Sequence, residues 1–286
     1  MLINMKDMLS VAQENNFAVP AFNISDYAMM NGIFEACEEK RAPVIIAIHP
    51  DELSHIGIEM VTAVIKKAHK ATVPVCIHLD HGASFQQVVM AIQNGFTSVM
   101  IDGSSLPFEE NIALCKKVVE TAHAVDVSVE GELGTIGSTD SEAEAGAEAI
   151  IYTNPGDAAK FVEATGVDTL AIAIGTSHGI YPKGRIPELK LDLLKQIKAR
   201  VQMPLVLHGG SNNSDKEIGE AVTLGVNKIN ISSDIKVAYH NKMREVLADT
   251  ELREPNSIQP ACIAAMKETA YHKIELFQAQ GKASLY

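Results

Sequence analysis

In the stretch Val75-Cys76-Ile77-His78-Leu79-Asp80-His81-Gly82, a carboxylate and an imidazole stand side by side at the end of an apolar run. The run follows Pro74 and reads as a buried strand, and Gly82 lets the chain turn away. Two-residue alternation puts His78 and Asp80 on one face, with His81 at the exit. Apolar runs that end in metal-binding or proton-moving groups recur along the chain. Asp102 closes 98–102, Glu130 and Glu132 lie in 127–133, and Gly175-Thr176-Ser177-His178-Gly179 follows 169–174. His208 ends 205–208, and the last run leads into Asn230-Ile231-Ser232-Ser233-Asp234. His81, His178 and His208 would suffice for a catalytic zinc that keeps one coordination position open. Asp102 and Glu132 suit a second cation, or acceptors that orient the histidines. A single histidine is more often structural, and repetition at strand exits is what favours metal. His49, His55, His69, His123, His240 and His272 lack such partners and read mostly as surface or packing residues.

A second kind of site is written at Gly209-Gly210-Ser211 and Ile231-Ser232-Ser233. Both stretches are small, offer backbone N–H groups and hydroxyls, and precede helical patterns. That is where barrels frequently hold phosphate, assisted by helix N-termini, although serines also cap helices there. A metal beside a phosphate cradle suggests a phosphorylated substrate whose reacting oxygen binds the ion.

These groups converge only if the runs form one sheet. Strands are expected at 18–23, 44–49, 75–80, 98–102, 127–133, 169–174, 205–208 and 228–231, with helical patterns between them. Examples are 26–39 after candidate cap Ser25, and 215–224 with Ser214 and Glu217 as a capping box. Eight βα units imply an α/β fold with a parallel sheet closed as a (β/α)8 TIM barrel, its chemistry at the strands' C-terminal ends. An open doubly wound sheet is disfavoured, since no glycine-rich dinucleotide fingerprint follows the first strand. The acidic, small-residue stretch 134–148 breaks the rhythm and is expected to be a mobile loop, placed to act as a lid. Residues from about 261 read as a C-terminal helical extension, and 1–286 as one domain.

A net charge of −12 argues against nucleic acid, and no apolar run approaches a membrane span. There is no signal-peptide pattern, and Cys37, Cys76, Cys115 and Cys262 are widely spaced, which fits a cytoplasmic protein.

Taken in order, Ala18-Val-Pro-Ala-Phe-Asn23, His78-Leu-Asp-His81, Ser98-Val-Met-Ile-Asp102, Val129-Glu-Gly-Glu-Leu-Gly134, Gly175-Thr-Ser-His-Gly179, Leu207-His-Gly-Gly210 and Lys228-Ile-Asn-Ile231 resemble the class II, zinc-dependent ketose-bisphosphate aldolases. The nearest branch is the tagatose-1,6-bisphosphate and short fructose-1,6-bisphosphate aldolases. The resemblance implies that His81, His178 and His208 bind zinc and that Asp80 is the acid/base at the aldehyde-derived hydroxyl. It implies a second divalent ion at Asp102 and Glu132. Asn23, Gly179, Gly209, Gly210, Ser211, Asn230, Ile231, Ser232 and Ser233 would meet the substrate, chiefly its dihydroxyacetone phosphate half. A monovalent cation (Na+ or K+) would lie nearby, and the chain would form a homodimer or homotetramer.

Three departures stand out. In the loop, where relatives commonly read Gly-Gly-x-Glu-Asp, this chain has Gly137-Ser138-Thr139-Asp140-Ser141. Asp140 is the nearest candidate for the acid that protonates the enediolate, with Glu142 and Glu144 as rivals. His49 replaces a usual small hydroxyl residue, and Glu254-Pro255-Asn256 replaces Asp-Pro-Arg, so the dihydroxyacetone phosphate half is better specified than the aldehyde. Three alternatives remain open: an aldolase for a non-bisphosphate ketose 1-phosphate, another metal-dependent sugar-phosphate lyase or epimerase, and a non-catalytic sugar-phosphate-binding subunit. A Schiff-base aldolase is discounted because Lys228 lies toward the wrong rim.

Overall fold

The computed structural model describes residues 1–138, 150–179 and 188–286. Eight strands form a closed, all-parallel barrel: β1 (Val19–Asn23), β2 (Val44–Ile48), β3 (Val75–Gly82), β4 (Ser98–Ile101), β5 (Ser128–Leu133), β7 (Thr169–Ile172), β9 (Leu205–Leu207) and β10 (Val226–Ile231). Two short strands, β6 (Gly137–Ser138) and β8 (Ser177–His178), pair with each other outside the barrel. β10 closes against β1 with Val19 opposite Lys228 and Phe22 opposite Ile231. This is the (β/α)8 TIM barrel that the alternation of runs implies, and the expected strand bounds agree to within two residues. Helices cover the outside, because strands buried on both faces need apolar cover. No described helix is long and apolar enough to cross a membrane.

The helix Tyr27–Lys40 begins at Asp26, whose carboxylate accepts from Met29 N at 2.6 Å. Asp26 is therefore the cap, and Ser25 instead donates to Glu52 at 3.2 Å. Ser214 does start the helix Asp215–Thr223, but without a side-chain cap bond. Asp215 in its first turn supplies the charge that complements the helix dipole. The stretch expected to act as a lid lies mostly outside the described residues, as does Asp140. Its described flanks are fastened: Thr135 bridges Ile151, and Ser138 pairs with His178. Near the C-terminus the helix Pro255–Leu276 lies along Tyr27–Lys40, where Lys267 meets Glu35 and Glu39.

The middle of the barrel is not apolar. His78, Glu130 and Lys228 point inward from three strands and are fully buried. Lys228 Nζ donates to Glu130 Oε2 at 2.7 Å and to His78 Nε2 at 3.4 Å. Lysine cannot accept, so Nε2 of His78 is the acceptor and Nδ1–H donates to Ser98 Oγ at 2.9 Å. Burial, helped by the charge on Lys228, lowers the imidazole to about 3, so His78 is neutral. Burial opposes ionisation of Glu130, but Lys228 and the neighbouring imidazoles outweigh it and hold the carboxyl below its usual range.

Removing one partner of a buried ion pair strands the other charge. Lys228→Met should cost about 3–5 kcal/mol in urea unfolding. Adding Glu130→Gln should restore more than half, because the new amide can donate to the freed His78 Nε2. A single variant as stable as the parent would show that the pair contributes nothing.

Candidate functional site

Asp80 and His81 are consecutive, yet both face the barrel mouth, which regular alternation forbids. The chain breaks the alternation at His81, whose φ is +50°, and the pairing of β3 with β4 shifts register between Leu79 and Gly82. Histidine tolerates this left-handed conformation better than most side chains, and such irregularities concentrate where a side chain must be re-aimed. His81 then packs edge-on to His178 and His208, with ring centroids 4.9 and 4.4 Å away. Nitrogen atoms of the three imidazoles all lie within 4.8 Å of one another.

Two of the rings have their tautomers set by carboxylates. A carboxylate can only accept, so His81 Nδ1–H donates to Asp102 Oδ2 at 3.0 Å and His208 Nε2–H donates to Glu130 Oε1 at 2.7 Å. The remaining nitrogens, His81 Nε2 and His208 Nδ1, are buried without a hydrogen-bond partner. Ring nitrogens that converge without a partner, each able to offer a lone pair once its imidazole is neutral, are what a borderline divalent cation such as zinc requires, so the donor set fits the ion. Burial, reinforced by the charge on His81, lowers His178 to about 3, and burial likewise lowers His208. His81 differs: burial opposes its charge, but Asp80, Asp102 and Glu132 raise it to about 9. His81, Asp102 and Glu132 form a second group with ligand atoms within 4.8 Å, and Glu132 Oε2 is also orphaned. Burial chiefly, with repulsion from Asp102, Glu130 and Asp80, raises Glu132 to about 8.

Asp80 sits beside this cluster, its Oδ1 4.0 Å from His208 Nδ1. Asn230 Nδ2 donates to Oδ1 at 2.9 Å and Asn23 Nδ2 to Oδ2 at 3.0 Å. Burial would raise the carboxyl, but His81, with the nearby His208 ring and the charge on Lys228, outweighs it and holds Asp80 well below the usual carboxylate range. It is a fixed, ionised carboxylate.

At the exits of β9 and β10, Gly209, Gly210, Ser211, Asn230, Ile231, Ser232 and Ser233 come together. Gly209 has φ +63°, and a Cβ there would lie 2.6 Å from Ser177 O. A Cβ on Gly210 would lie 2.4 Å from Ile229 Cγ2. Asn213 Nδ2 ties the turn by donating to Gly209 O at 2.6 Å and Ser211 O at 2.9 Å. The helix Ser233–Val246 opens here without a side-chain bond from its cap Ser232, and Asp234 N donates to Ser211 Oγ at 3.3 Å. Lys273 from the C-terminal helix holds Asp234 at 2.8 Å. Ile231 is fully buried, so its side chain belongs to the core. Gly179 follows His178 directly and has φ +90°.

Sequence reasoning missed several residues. Glu130 appeared only as a neighbour of Glu132, although their spacing of two already put both inside the barrel. Glu52 and Lys236 carried no signal, because each sits in an amphipathic helix where a charge reads as solvent-facing. His49 is not a bystander: it caps the helix Pro50–Ile56, and its ring lies 6.1 Å from that of His81.

A family model described as "Fructose-bisphosphate aldolase class-II" matches residues 3–282. The YdjI aldolase of Escherichia coli K12 superposes with a TM-score of 0.88 at 36% identity, covering 99% of this chain and 100% of that one. A candidate fructose-1,6-bisphosphate aldolase from Coccidioides immitis gives 0.87 at 26% identity, covering 99% of each chain. A fructose-bisphosphate aldolase from Campylobacter jejuni, at 23% identity, shares the fold with a TM-score of 0.81, covering 98% of this chain and 96% of that one.

The charge states above make metal uptake pH-dependent. His81, raised to about 9, and Glu132, raised to about 8, carry protons at neutral pH and must lose them to coordinate. Zinc affinity of chelator-stripped protein should therefore rise from pH 6 to 8.5, with roughly one or more protons released per ion. Calorimetry in buffers of different ionisation enthalpy measures this, and a pH-independent affinity would contradict the assignment.

Proposed function

We propose that this chain, which belongs to the class II fructose-bisphosphate aldolase family, is a zinc-dependent lyase that cleaves a ketose 1-phosphate or 1,6-bisphosphate, of the tagatose or fructose type, into dihydroxyacetone phosphate and an aldehyde. The observation that carries this reading is Asp80: an ionised carboxylate, fixed by two asparagine amides, 4.0 Å from the orphaned Nδ1 of His208. A base so placed suits proton transfer next to a carbonyl that a cation held by the cluster would polarise. His81, His178 and His208 are the residues that would hold the ion, and a divalent cation there supplies Lewis acidity for the carbonyl and charge for the enediolate.

The chain's own groups do the rest. Asp80 accepts the proton of the C4 hydroxyl as the C3–C4 bond breaks, so C4 leaves as the aldehyde and the electron pair stays with the dihydroxyacetone phosphate half. Gly209, Gly210, Ser211, Ser232 and Ser233, with the opening of the helix Ser233–Val246, hold the phosphate through N–H groups, hydroxyls and the helix dipole. Gly179, Asn230 and the Ile231 backbone complete that half. Asn23 keeps its Oδ1 for a substrate hydroxyl. An acid then returns a proton to C3; Asp140 is the nearest candidate and lies outside the described residues. We also assign a second divalent ion to Asp102 and Glu132, and a sodium or potassium ion beside the phosphate. The reading is of one domain over 1–286, a homodimer or homotetramer in the cytoplasm. Four buried, unpaired cysteines support a reducing compartment.

A panel of ketose 1-phosphates and 1,6-bisphosphates, followed for release of dihydroxyacetone phosphate, should show turnover that a chelator abolishes and zinc restores. Asp80→Ala should lower kcat by about 10²–10⁴-fold with the metal still bound. Ser233→Ala should raise the KM for dihydroxyacetone phosphate in the condensation direction about 10-fold or more, with kcat changed less. A protein that binds zinc and sugar phosphate but turns over no ketose would be an accessory subunit instead.

A further inference from the structure

Glu52 belongs to none of the groups assigned above, yet four donors converge on its two oxygens. Oε2 accepts from His49 N at 2.9 Å and Asn23 Nδ2 at 3.1 Å. Oε1 accepts from Ser25 Oγ at 3.2 Å and Lys236 Nζ at 2.5 Å. The first contact alone is an ordinary capping box for the short helix Pro50–Ile56. A capping glutamate is normally solvated on its other sides, whereas the side chain of Glu52 is 10% exposed. Its partners come from the ends of β1 and β2 and from the helix that follows β10, where the last strand of the barrel meets the first.

Asn23 carries the consequence to the base. One amide hydrogen goes to Glu52 Oε2 and the other to Asp80 Oδ2. Between two carboxylates an amide must present its NH2 to both, since its oxygen would meet repulsion from either. Both hydrogens are committed, so the plane and the flip of the Asn23 amide are decided by Glu52 and Asp80 together. Asp80 has no other donor on Oδ2 among the described contacts.

We infer that Glu52 is a positioning residue for the cleavage step: held by Lys236, it fixes the Asn23 amide, which in turn fixes the orientation of the Asp80 carboxylate. This rests on Asp80 being the proton acceptor proposed above. Without Glu52 the amide keeps one anchor and can rotate, and Asp80 loses the registration that proton transfer needs. Glutamine is no substitute, because its NH2 would face a donor at Lys236 or at Asn23.

A kinetic double-mutant cycle tests the route. Glu52→Ala should lower kcat about 10- to 100-fold, the scale of a misplacement near 1 Å, with a smaller change in KM. In an Asn23→Ala background the same change should cost less than about 2-fold, because the intermediary is already gone. Losses that multiply would overturn the inference, since a merely structural role for Glu52 would act whatever residue stands at position 23. If Glu52→Ala folds poorly, Glu52→Ala with Lys236→Met removes the charges as a unit and serves in the same cycle. A crystal structure of the variant decides the matter without any ketose. An Asn23 amide and Asp80 carboxylate turned from their parent orientations support the inference, and both unmoved overturn it. A parent protein without turnover would thus defeat the aldolase reading while leaving the positioning role of Glu52 to be decided by that structure.

Discussion

Two hydrogen bonds from imidazole to carboxylate set the chemistry of this barrel: His208 to Glu130 and His81 to Asp102. Each holds a ring proton on the far side, so the neutral ring turns the lone pair of its other nitrogen to the mouth, a state His81 reaches when it sheds its second proton. A carboxylate buried as deeply as Glu130 would ordinarily take up a proton and fail as an acceptor. Lys228 prevents this, and His78 then accepts from Lys228 as a neutral ring. The buried polar layer is thus the foundation of the histidine cluster. Such a layer tolerates no missing member, since each group is satisfied only by the others.

The rest of the mouth is built by linking elements distant in sequence. Asp80 gains its donors from β1 and β10, on opposite sides of the point where the barrel closes. Glu52 reinforces that point from the helix after β2, and Lys273 reaches in from the C-terminal helix to hold Asp234 under the turn at Gly209-Gly210-Ser211. The same turn supplies Asn212 N to the Asp234 carboxylate at 3.1 Å. Strand exits supply the reactive groups, and helices packed outside the barrel fix their orientation.

Much of this was legible in the sequence because the signals are local and periodic. Apolar runs marked all eight barrel strands, five of them carrying His, Asp or Glu, and the spacing of Glu130 and Glu132 showed one inward face. The pair Gly137–Ser138 and Ser177–His178 was not legible, since two residues carry no period. Nor was the re-aiming of His81, which needs a backbone conformation that alternation does not encode. Lys228 read as a misplaced Schiff-base lysine until its partners from β3 and β5 were known. Glu52 and Lys236 were invisible for the same reason: their meaning is a contact 184 residues apart in the chain. The position of Asp140 lies outside the described residues.

One divalent ion is proposed to lie among His81, His178 and His208 beside Asp80. Anomalous diffraction at the zinc edge from zinc-loaded crystals tests it most directly. A peak bounded by His81 Nε2, His208 Nδ1 and the His178 ring is expected, with the Asp102 and Glu130 hydrogen bonds intact behind it. A zinc peak held by other residues, with those two lone pairs left unengaged, would contradict it.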